Sequence, residues 1–458
     1  MELYELSDTD EKILDTLLND KISRNMYLYR FIDLLNTIDG SFSIAVNGRW
    51  GTGKTFFVKQ AKFLLEAENV FFEDRPYFNR IKENSKWENH KKETGLEYAP
   101  VLPIYYDAWI NDSTTDPVLS IVHEIINQLD LKDEIKQRPE LKTVIKGVIS
   151  PFAEKTIGVN VDEFLESLES KDYLEEVSTQ QILRDRIDDF LSNVIKERGN
   201  RLVIFIDELD RCRPDYAVNL LERIKHYFSN DNITYVFSVN INELQHTIRR
   251  FYGEGFSSTE YLDRFFDMTI DIPLIDVDKY FNFICFAKND LAYDVCKAVV
   301  SKLNFSMRQA ERFSKIVRIA IYNNKYYRSS QNPIWEEGKA KFFMIANIAP
   351  LAIGLRMADS SRYKSFIEGN DPSFLYEVYN GNNAHLVDYY MLNSTESFIE
   401  GNDNYVDFKE RLTGIYQAIF SNMYVREHEV SIGHMIFNKD SKAWLLDVIN
   451  LFSLQIEF

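Results

Sequence analysis

Cysteine, glycine and proline are all scarce in this sequence of 458 residues, which contains 3, 17 and 11 of them respectively. The cysteines, Cys212, Cys285 and Cys296, lack the CxxC spacing of a zinc site and supply no disulfide framework. We therefore expect reduced thiols in a cytoplasmic protein. The low glycine and proline content argues against long loops and predicts a helix-rich chain.

Positively charged residues are also fewer than negatively charged ones. The sequence has 53 Lys and Arg and 71 Asp and Glu, which gives a net charge of −18. Such a chain should not attract bare nucleic acid or an anionic membrane non-specifically, and specific nucleic-acid binding stays open. The acidic N-terminus lacks the apolar core of a signal peptide. The most apolar stretch, Phe342 to Leu355, has 14 residues and contains Asn347 and Pro350. It is too short to cross a bilayer and predicts a buried helix, so we expect no membrane association.

Short apolar runs predict the strands of a sheet. They cover residues 42–46, 101–106, 202–206, 233–239 and 268–274. The runs are rich in β-branched and aromatic residues, and segments with helical periodicity separate them. Residues 202–206 (LVIFI) are apolar throughout, as expected of a strand that is covered on both faces. The pattern predicts an α/β core in which helices flank a mostly parallel sheet.

Helical periodicity on both sides of these runs predicts the division of the chain. We expect an N-terminal helical segment at 1–38, a core at 39–275 with a helical insertion at about 116–200, and a helical C-terminal region at 276–458. The C-terminal region contains SFIEGND twice, at Ser365–Asp371 and Ser397–Asp403. We predict that each copy is a helix C-terminus capped by glycine.

A glycine-rich segment follows the first predicted strand and matches G-x-x-x-x-G-K-[ST]. It consists of Gly48, Arg49, Trp50, Gly51, Thr52, Gly53, Lys54 and Thr55. Glycines let main-chain N–H groups surround phosphate oxygens without Cβ clashes, and the N-terminus of a following helix attracts the same anion. Lys54 would bridge the β- and γ-phosphates, while the Thr55 hydroxyl would bind magnesium. The segment predicts a P-loop NTPase core.

Acidic residues at the tip of the third predicted strand supply the second group that a P-loop requires. Asp207 would hold the magnesium ion through water, and Glu208 would polarise the attacking water. Asp210 is an alternative base, because all three acids lie within one turn. The next strand ends at Asn240, which either orients the lytic water or caps the following helix; both roles are compatible.

Several stretches resemble the KAP family of P-loop NTPases, a branch of the additional-strand, catalytic-glutamate class. The P-loop is similar to that family's G-x-W-G-x-G-K-T form. The other resembling stretches are Asp20 and Arg24 (D-x-x-x-R), Tyr105–Trp109 (F-N-A-W, with Tyr and Asp in place of Phe and Asn), Ile206–Pro214 (I-D-D-L-D-R-C-x-P, with Glu208 as the second acid), Leu221–Lys225 (L-E-x-I-K) and Tyr261–Asp267 (Y-L-x-K-F-F).

The resemblance implies a central parallel sheet, ATP as nucleotide and Mg²⁺ as its metal. It also implies that Arg264 faces the nucleotide of a neighbouring subunit as an arginine finger, or else pairs with Asp263 or Asp267. Arg308, on a helix that starts near Ser306, resembles an arginine that senses the γ-phosphate; the alternative is an exposed arginine on a capped helix.

The leading hypothesis is an ATPase that acts as a switch or assembly device, with self-association and a partner effector protein. Relatives implied by the resemblance belong to bacterial anti-phage defence systems, and we expect that context here. A small-molecule kinase and a nucleotide-gated scaffold without turnover remain alternatives. A nucleic-acid translocase fits the net charge of −18 poorly.

Overall fold

The computed structural model describes residues 9–113, 116–137, 180–227, 230–273, 279–281, 292–322, 336–379, 387, 390–392, 396–398, 405–421 and 429–450. The chain divides into two compact units. One covers Leu6–Leu274, and the other is made of Ile275–Phe458 with Met1–Glu5. Residues 138–179 of the predicted helical insertion lie outside the described residues.

A five-stranded parallel sheet forms the centre of the first unit. Its strands are β1 (Phe42–Asn47), β2 (Val101–Asp107), β3 (Arg201–Asp207), β4 (Ile233–Val239) and β5 (Met268–Asp271), in the spatial order β2-β3-β4-β1-β5. All four neighbouring pairs run parallel. The predicted α/β fold is therefore confirmed, and β4 is the additional strand between β1 and β3.

The central strands β3 and β4 are buried on both faces because they are almost wholly apolar. Residues such as Ile204 and Phe237 pack into one core cluster, while Val203, Phe205 and Val236 pack into a second cluster. Alternate residues of a strand point to opposite faces, so a continuous apolar run supplies both clusters. Since all strands are parallel, the side chains that follow their carboxyl ends meet at one edge of the sheet.

Helices cover the sheet of the first unit. They are α1 (Asp10–Asn19), α2 (Asn25–Thr37), α3 (Lys54–Ala67), α4 (Phe78–Lys82), α5 (Ser85–Thr94), α6 (Pro117–Gln128), α7 (Lys132–Gln137), α8 (Gln180–Arg198), α9 (Pro214–Tyr227), α10 (Ile241–Tyr252) and α11 (Ser258–Leu262). The helices α1 and α2 share a core cluster with α3. The Phe31 and Phe57 rings lie 5.3 Å apart, so α2 packs directly on the helix that follows the P-loop.

The second unit is mostly helical and contains one hairpin among its described residues. Its helices are α12 (Tyr293–Lys302), α13 (Met307–Tyr322), α14 (Glu336–Phe343), α15 (Ala349–Ala358), α16 (Ser360–Ile367), α17 (Ser373–Val378), α18 (Phe408–Phe420) and α19 (Ser441–Ile449). The antiparallel strands β6 (Glu429–Ile432) and β7 (Met435–Asn438) form the hairpin. Its turn uses Gly433 at φ 54°, where a side chain would be strained.

The apolar stretch of the second unit is a buried helix, as predicted. A π turn, Met344–Ile348, joins α14 to α15, and Tyr379 donates to the Asn347 side chain at 2.9 Å. The helix is longer than the apolar stretch, however. Gly338–Ala358 has 21 residues and meets the length and composition of a membrane span, although 83% of its apolar window is buried within the protein.

The first SFIEGND copy forms the glycine-capped helix end that the sequence predicts. Gly369 has φ 86°, and the Asn370 N–H donates to the Ser365 carbonyl at 3.0 Å. The second copy differs at its start, because Ser397 forms a β-bridge with Tyr405. Its last residues, 399–403, lie outside the described residues.

Candidate nucleotide site

The P-loop connects the end of β1 to the start of α3. Gly51 and Gly53 have φ values of 78° and 85°, which L-residues with side chains rarely adopt. A Cβ on Gly48 would come within 2.5 Å of the Ile272 side chain. The glycines are therefore required by the main-chain path, and this path leaves the first N–H groups of α3 at the sheet edge.

Lys54 is buried at the first position of α3, where its Nζ donates to the Gly48 carbonyl at 2.7 Å. Burial lowers the pKa of this ammonium, and the nearby carboxylates of Asp210 and Asp207 oppose that shift. The side chain thus folds back over the loop from which it emerges. A phosphate entering the loop would offer the ammonium a stronger acceptor than a carbonyl.

Asp207 is almost completely buried at the tip of β3, where only 1% of the residue is exposed. Its Oδ2 accepts from the Tyr105 hydroxyl at 3.0 Å, and its Oδ1 accepts from the Glu208 N–H at 3.0 Å. Burial, followed by the charge of Asp207, raises the pKa of the Tyr105 phenol above its ordinary value. Tyr105 therefore stays protonated and fixes the orientation of the carboxylate.

Glu208 has a strained main chain, with φ 63° and ψ 21° in a non-glycine residue. This conformation costs about 1–2 kcal/mol, and such strained residues cluster at active sites and ligand-binding sites. Arg211 Nη2 lies 2.5 Å from its carboxylate, and the Arg211 guanidinium stacks over the Trp109 ring. Burial and the charge of Asp207 raise the pKa of Glu208 to about 7.

Asp210 lies on the 3₁₀ turn after Glu208 and contacts the P-loop directly. Its Oδ2 accepts from Trp50 Nε1 at 2.6 Å, and the carboxylate also receives the main-chain N–H of Asn240. Burial raises the pKa of Asp210, while Lys54 and Trp50 favour the charged form. Glu208 and Asp210, the two candidates for the general base, thus both lie in the site. Glu208 pairs with Arg211, whereas Asp210 accepts from Trp50.

Asn240 lies at the end of β4, directly before α10, and it is nearly buried. Its side chain makes no capping hydrogen bond, so the capping alternative is not supported. Asn47 performs that task from the end of β1, because its Oδ1 accepts from the Ile241 N–H at 3.0 Å and its Nδ2 donates to Asp271 at 2.7 Å.

The two predicted arginines occupy exposed positions. The alternative to an arginine finger was an ion pair with Asp263 or Asp267, and Arg264 makes no ion pair with either. Asp267 instead accepts a hydrogen bond from the Ser43 N–H at 2.8 Å. Arg308 is exposed in the first turn of α13, which belongs to the second unit. Among the described residues, therefore, neither arginine pairs with a carboxylate of its own segment.

Comparison with known protein families decides the family. Residues 24–320, well over half of the chain, match the KAP family P-loop domain. The chain belongs to the KAP family. An uncharacterized protein of Methanocaldococcus jannaschii is similar to this KAP protein, with 26% identity over 161 residues that cover 27% of this chain and 82% of the relative. The resemblance inferred from the motifs is confirmed, and with it a nucleotide-binding P-loop domain.

Buried polar atoms of the KAP site fit a metal–nucleotide complex. Ser238 lies opposite Asp207 on β4, and its buried Oγ has no hydrogen-bond partner in the described part of the chain. Within the same described ranges, no group of three or more His, Cys, Asp or Glu could hold a metal ion alone. This donor set suits Mg²⁺, which is commonly bound by one or two protein ligands, water and substrate phosphates.

Sequence reasoning missed residues that complete the KAP site. Ser238 and Asn47 adjoin the predicted residues at the ends of their strands. Tyr105 and Arg24 were noted only as parts of motifs, yet Tyr105 donates to Asp207 at 3.0 Å and the buried Arg24 donates through Nη1 to the Thr52 carbonyl at 2.6 Å. The polar residues at strand ends were the available signal, because parallel strands bring their carboxyl ends together.

Proposed function

We propose that this KAP protein binds ATP with Mg²⁺ and hydrolyses the nucleotide. The observation that carries the proposal is the meeting of Lys54, Asp207 and Glu208 at one edge of the sheet, although more than 150 residues separate the P-loop from the acids. P-loop NTPases require these groups together: a cation for the phosphates, a carboxylate for the metal and a group that positions water.

Each residue would have a separate task. The P-loop N–H groups and Lys54 would bind the phosphates, while Thr55 and Asp207 would hold Mg²⁺. The bound metal would neutralise negative charge on the phosphates during transfer. Glu208, ionised above its pKa of about 7, would accept a proton from the attacking water on its carboxylate. As the water oxygen bonds to the γ-phosphorus, the bond from that phosphorus to the oxygen that bridges it to the β-phosphate would break, and ADP and inorganic phosphate would leave. Asn240 would orient the same water.

Self-association would complete the site. Exposed Arg264 is available to reach the nucleotide of a neighbouring copy, where a guanidinium stabilises the negative charge of the transferred group. Arg308, the other exposed arginine, would sense the γ-phosphate. ATP binding would then favour assembly, and hydrolysis would reverse it, so that the protein acts as a switch in the cytoplasm for a partner effector protein. We place that switch in bacterial anti-phage defence.

The test is release of inorganic phosphate from ATP and Mg²⁺ by the wild type, Lys54→Ala and Glu208→Gln. We expect turnover only in the wild type, with nucleotide binding retained by Glu208→Gln.

Mass determination of the purified protein with and without ATP and Mg²⁺ tests self-association, and we expect larger assemblies with nucleotide. Transfer of phosphate to a metabolite without phosphate release would contradict hydrolysis in favour of a kinase. Binding without any turnover would indicate a nucleotide-gated scaffold.

A further inference from the structure

The hydrogen bond between Trp50 and Asp210 connects the P-loop to the turn that follows β3. The donor and acceptor atoms are 2.6 Å apart, although 160 positions separate the residues in sequence. We propose that Asp210 is a positioning residue that holds the P-loop in its phosphate-binding shape through Trp50. This inference rests on the proposed function, because it concerns how the same loop binds ATP.

The surroundings of Asp210 favour positioning over proton transfer. The residue is 5% exposed, and its carboxylate already accepts from the Trp50 indole and the Asn240 main chain. Breaking the hydrogen bonds of a buried carboxylate costs free energy, so Asp210 is held in a fixed position. Glu208 is better placed for water, because its side chain is 15% exposed and its partner, Arg211, is a flexible side chain.

The Trp50 side chain donates a hydrogen bond to Asp210 through its indole N–H. The residue is 47% exposed, so it buries less apolar surface than a core tryptophan such as Trp87. It is adjacent to Gly51, which has a φ value of 78°. A hydrogen bond to a charged group is among the stronger single contacts in proteins, and here it is the specific link between the loop and Asp210.

The tether would raise nucleotide affinity by restricting the free loop. Glycine loses more conformational freedom on ordering than any other residue, so a glycine-rich loop pays a large entropic cost when it closes on phosphates. A loop that already holds its bound shape loses less freedom on binding. Asp210 also attracts Lys54, so the same carboxylate keeps the ammonium near the phosphate position.

The experiment measures binding of a fluorescent N-methylanthraniloyl ATP to the full chain, with Mg²⁺ and with EDTA. Trp50→Phe keeps an aromatic ring but removes the donor, and we expect affinity to fall about tenfold under both conditions, the low end for a hydrogen bond to a charged group. The melting temperature should fall somewhat as well, because Trp50→Phe takes one donor from the buried Asp210 carboxylate, and binding is therefore measured well below it. Trp444→Phe, in the second unit, is the matched control and should bind as the wild type does.

A double-mutant cycle separates the tether from a general effect of each side chain. Asp210→Ala should weaken binding at least as much as Trp50→Phe, and the double variant should be no weaker than Asp210→Ala alone. Wild-type affinity in Trp50→Phe, or losses that simply add, would overturn the tether while Lys54→Ala still abolishes binding. Failure of the wild type itself to bind would overturn the proposed function as well, and so the two failures are distinguishable.

Discussion

Two clusters of buried polar side chains lie in the first unit and differ in how their charges are compensated. One cluster packs around α5, where Asp33 contacts His90 at 2.9 Å and accepts from the Tyr98 hydroxyl. In the same cluster, Glu68 accepts from Trp87 at 2.7 Å and from Lys91 at 2.8 Å. The acids of this α5 cluster therefore have cations or neutral donors as direct partners, as buried charges in a stable scaffold require.

The acids of the nucleotide site also have direct partners, such as Arg211 for Glu208, but they lie next to one another. Asp107 and Asp207 are direct neighbours on parallel strands, and Glu208 follows Asp207 in a left-handed conformation. Burial raises the pKa values of Asp107, Glu208 and Asp210. Separate, paired acids thus characterise the α5 cluster, whereas adjacent acids with raised pKa values are typical of a functional site.

The largest contrast between the clusters should appear when one glutamate of each is neutralised. Glu208→Gln should lower the rate of ATP hydrolysis by about 10²–10⁴-fold, because a positioned general base contributes that much. Glu68→Gln, the matched control in the α5 cluster, should leave hydrolysis unchanged and lower thermal stability. Steady-state phosphate release and thermal melts check both. A comparable loss of hydrolysis in Glu68→Gln would break the comparison.

A smaller effect is expected from a substitution in the α5 cluster, and it should change stability and leave nucleotide binding unaltered. Trp87 is fully buried, so Trp87→Phe removes the donor to Glu68 and leaves part of a buried acceptor unsatisfied. We expect a loss of about 1–3 kcal/mol in the free energy of unfolding. Urea denaturation measures it, and nucleotide affinity should remain at the wild-type value. Weaker nucleotide binding in this variant would mean that the α5 cluster supports the site directly.

The smallest effect concerns the pH dependence of hydrolysis. Glu208 must be ionised to accept a proton, so kcat/KM should increase as the pH rises through about 7 and should be low at pH values below that pKa. The negative charge of Asp107 contributes to the raised pKa of Glu208, so Asp107→Asn should move this midpoint to lower pH. A pH profile of kcat/KM for both proteins checks the direction. An unchanged or higher midpoint would show that Asp107 does not act on Glu208.

The strands could be predicted because each is a short, mostly apolar run that is rich in β-branched and aromatic residues. The structure begins β3 at Arg201 and ends it at Asp207, within one residue of the apolar run at each end. The hairpin Glu429–Asn438 escaped prediction, because strands of four residues carry too little alternation to separate them from loops. The apolar helix proved longer than its apolar stretch, since less apolar flanks continue the same helix.

Residues of the candidate site could be predicted from the sequence where a local motif contains them. Lys54 and Asp207 belong to such motifs, which are recognisable from adjacent residues alone. Tyr105 reaches Asp207 across 102 positions, and Asn47 reaches Ile241 across 194. Contacts over such distances follow from strand order and register, which a single sequence does not state.

The central claim is that the edge of the sheet formed by the P-loop and the tip of β3 binds a metal–triphosphate complex. A crystal structure with a non-hydrolysable ATP analogue and Mg²⁺ tests it most directly. We predict phosphates within the loop 48–53, Lys54 turned from the Gly48 carbonyl to the phosphates, and the metal between Thr55 and Asp207. An empty loop, or a nucleotide bound away from Asp207, would contradict the account.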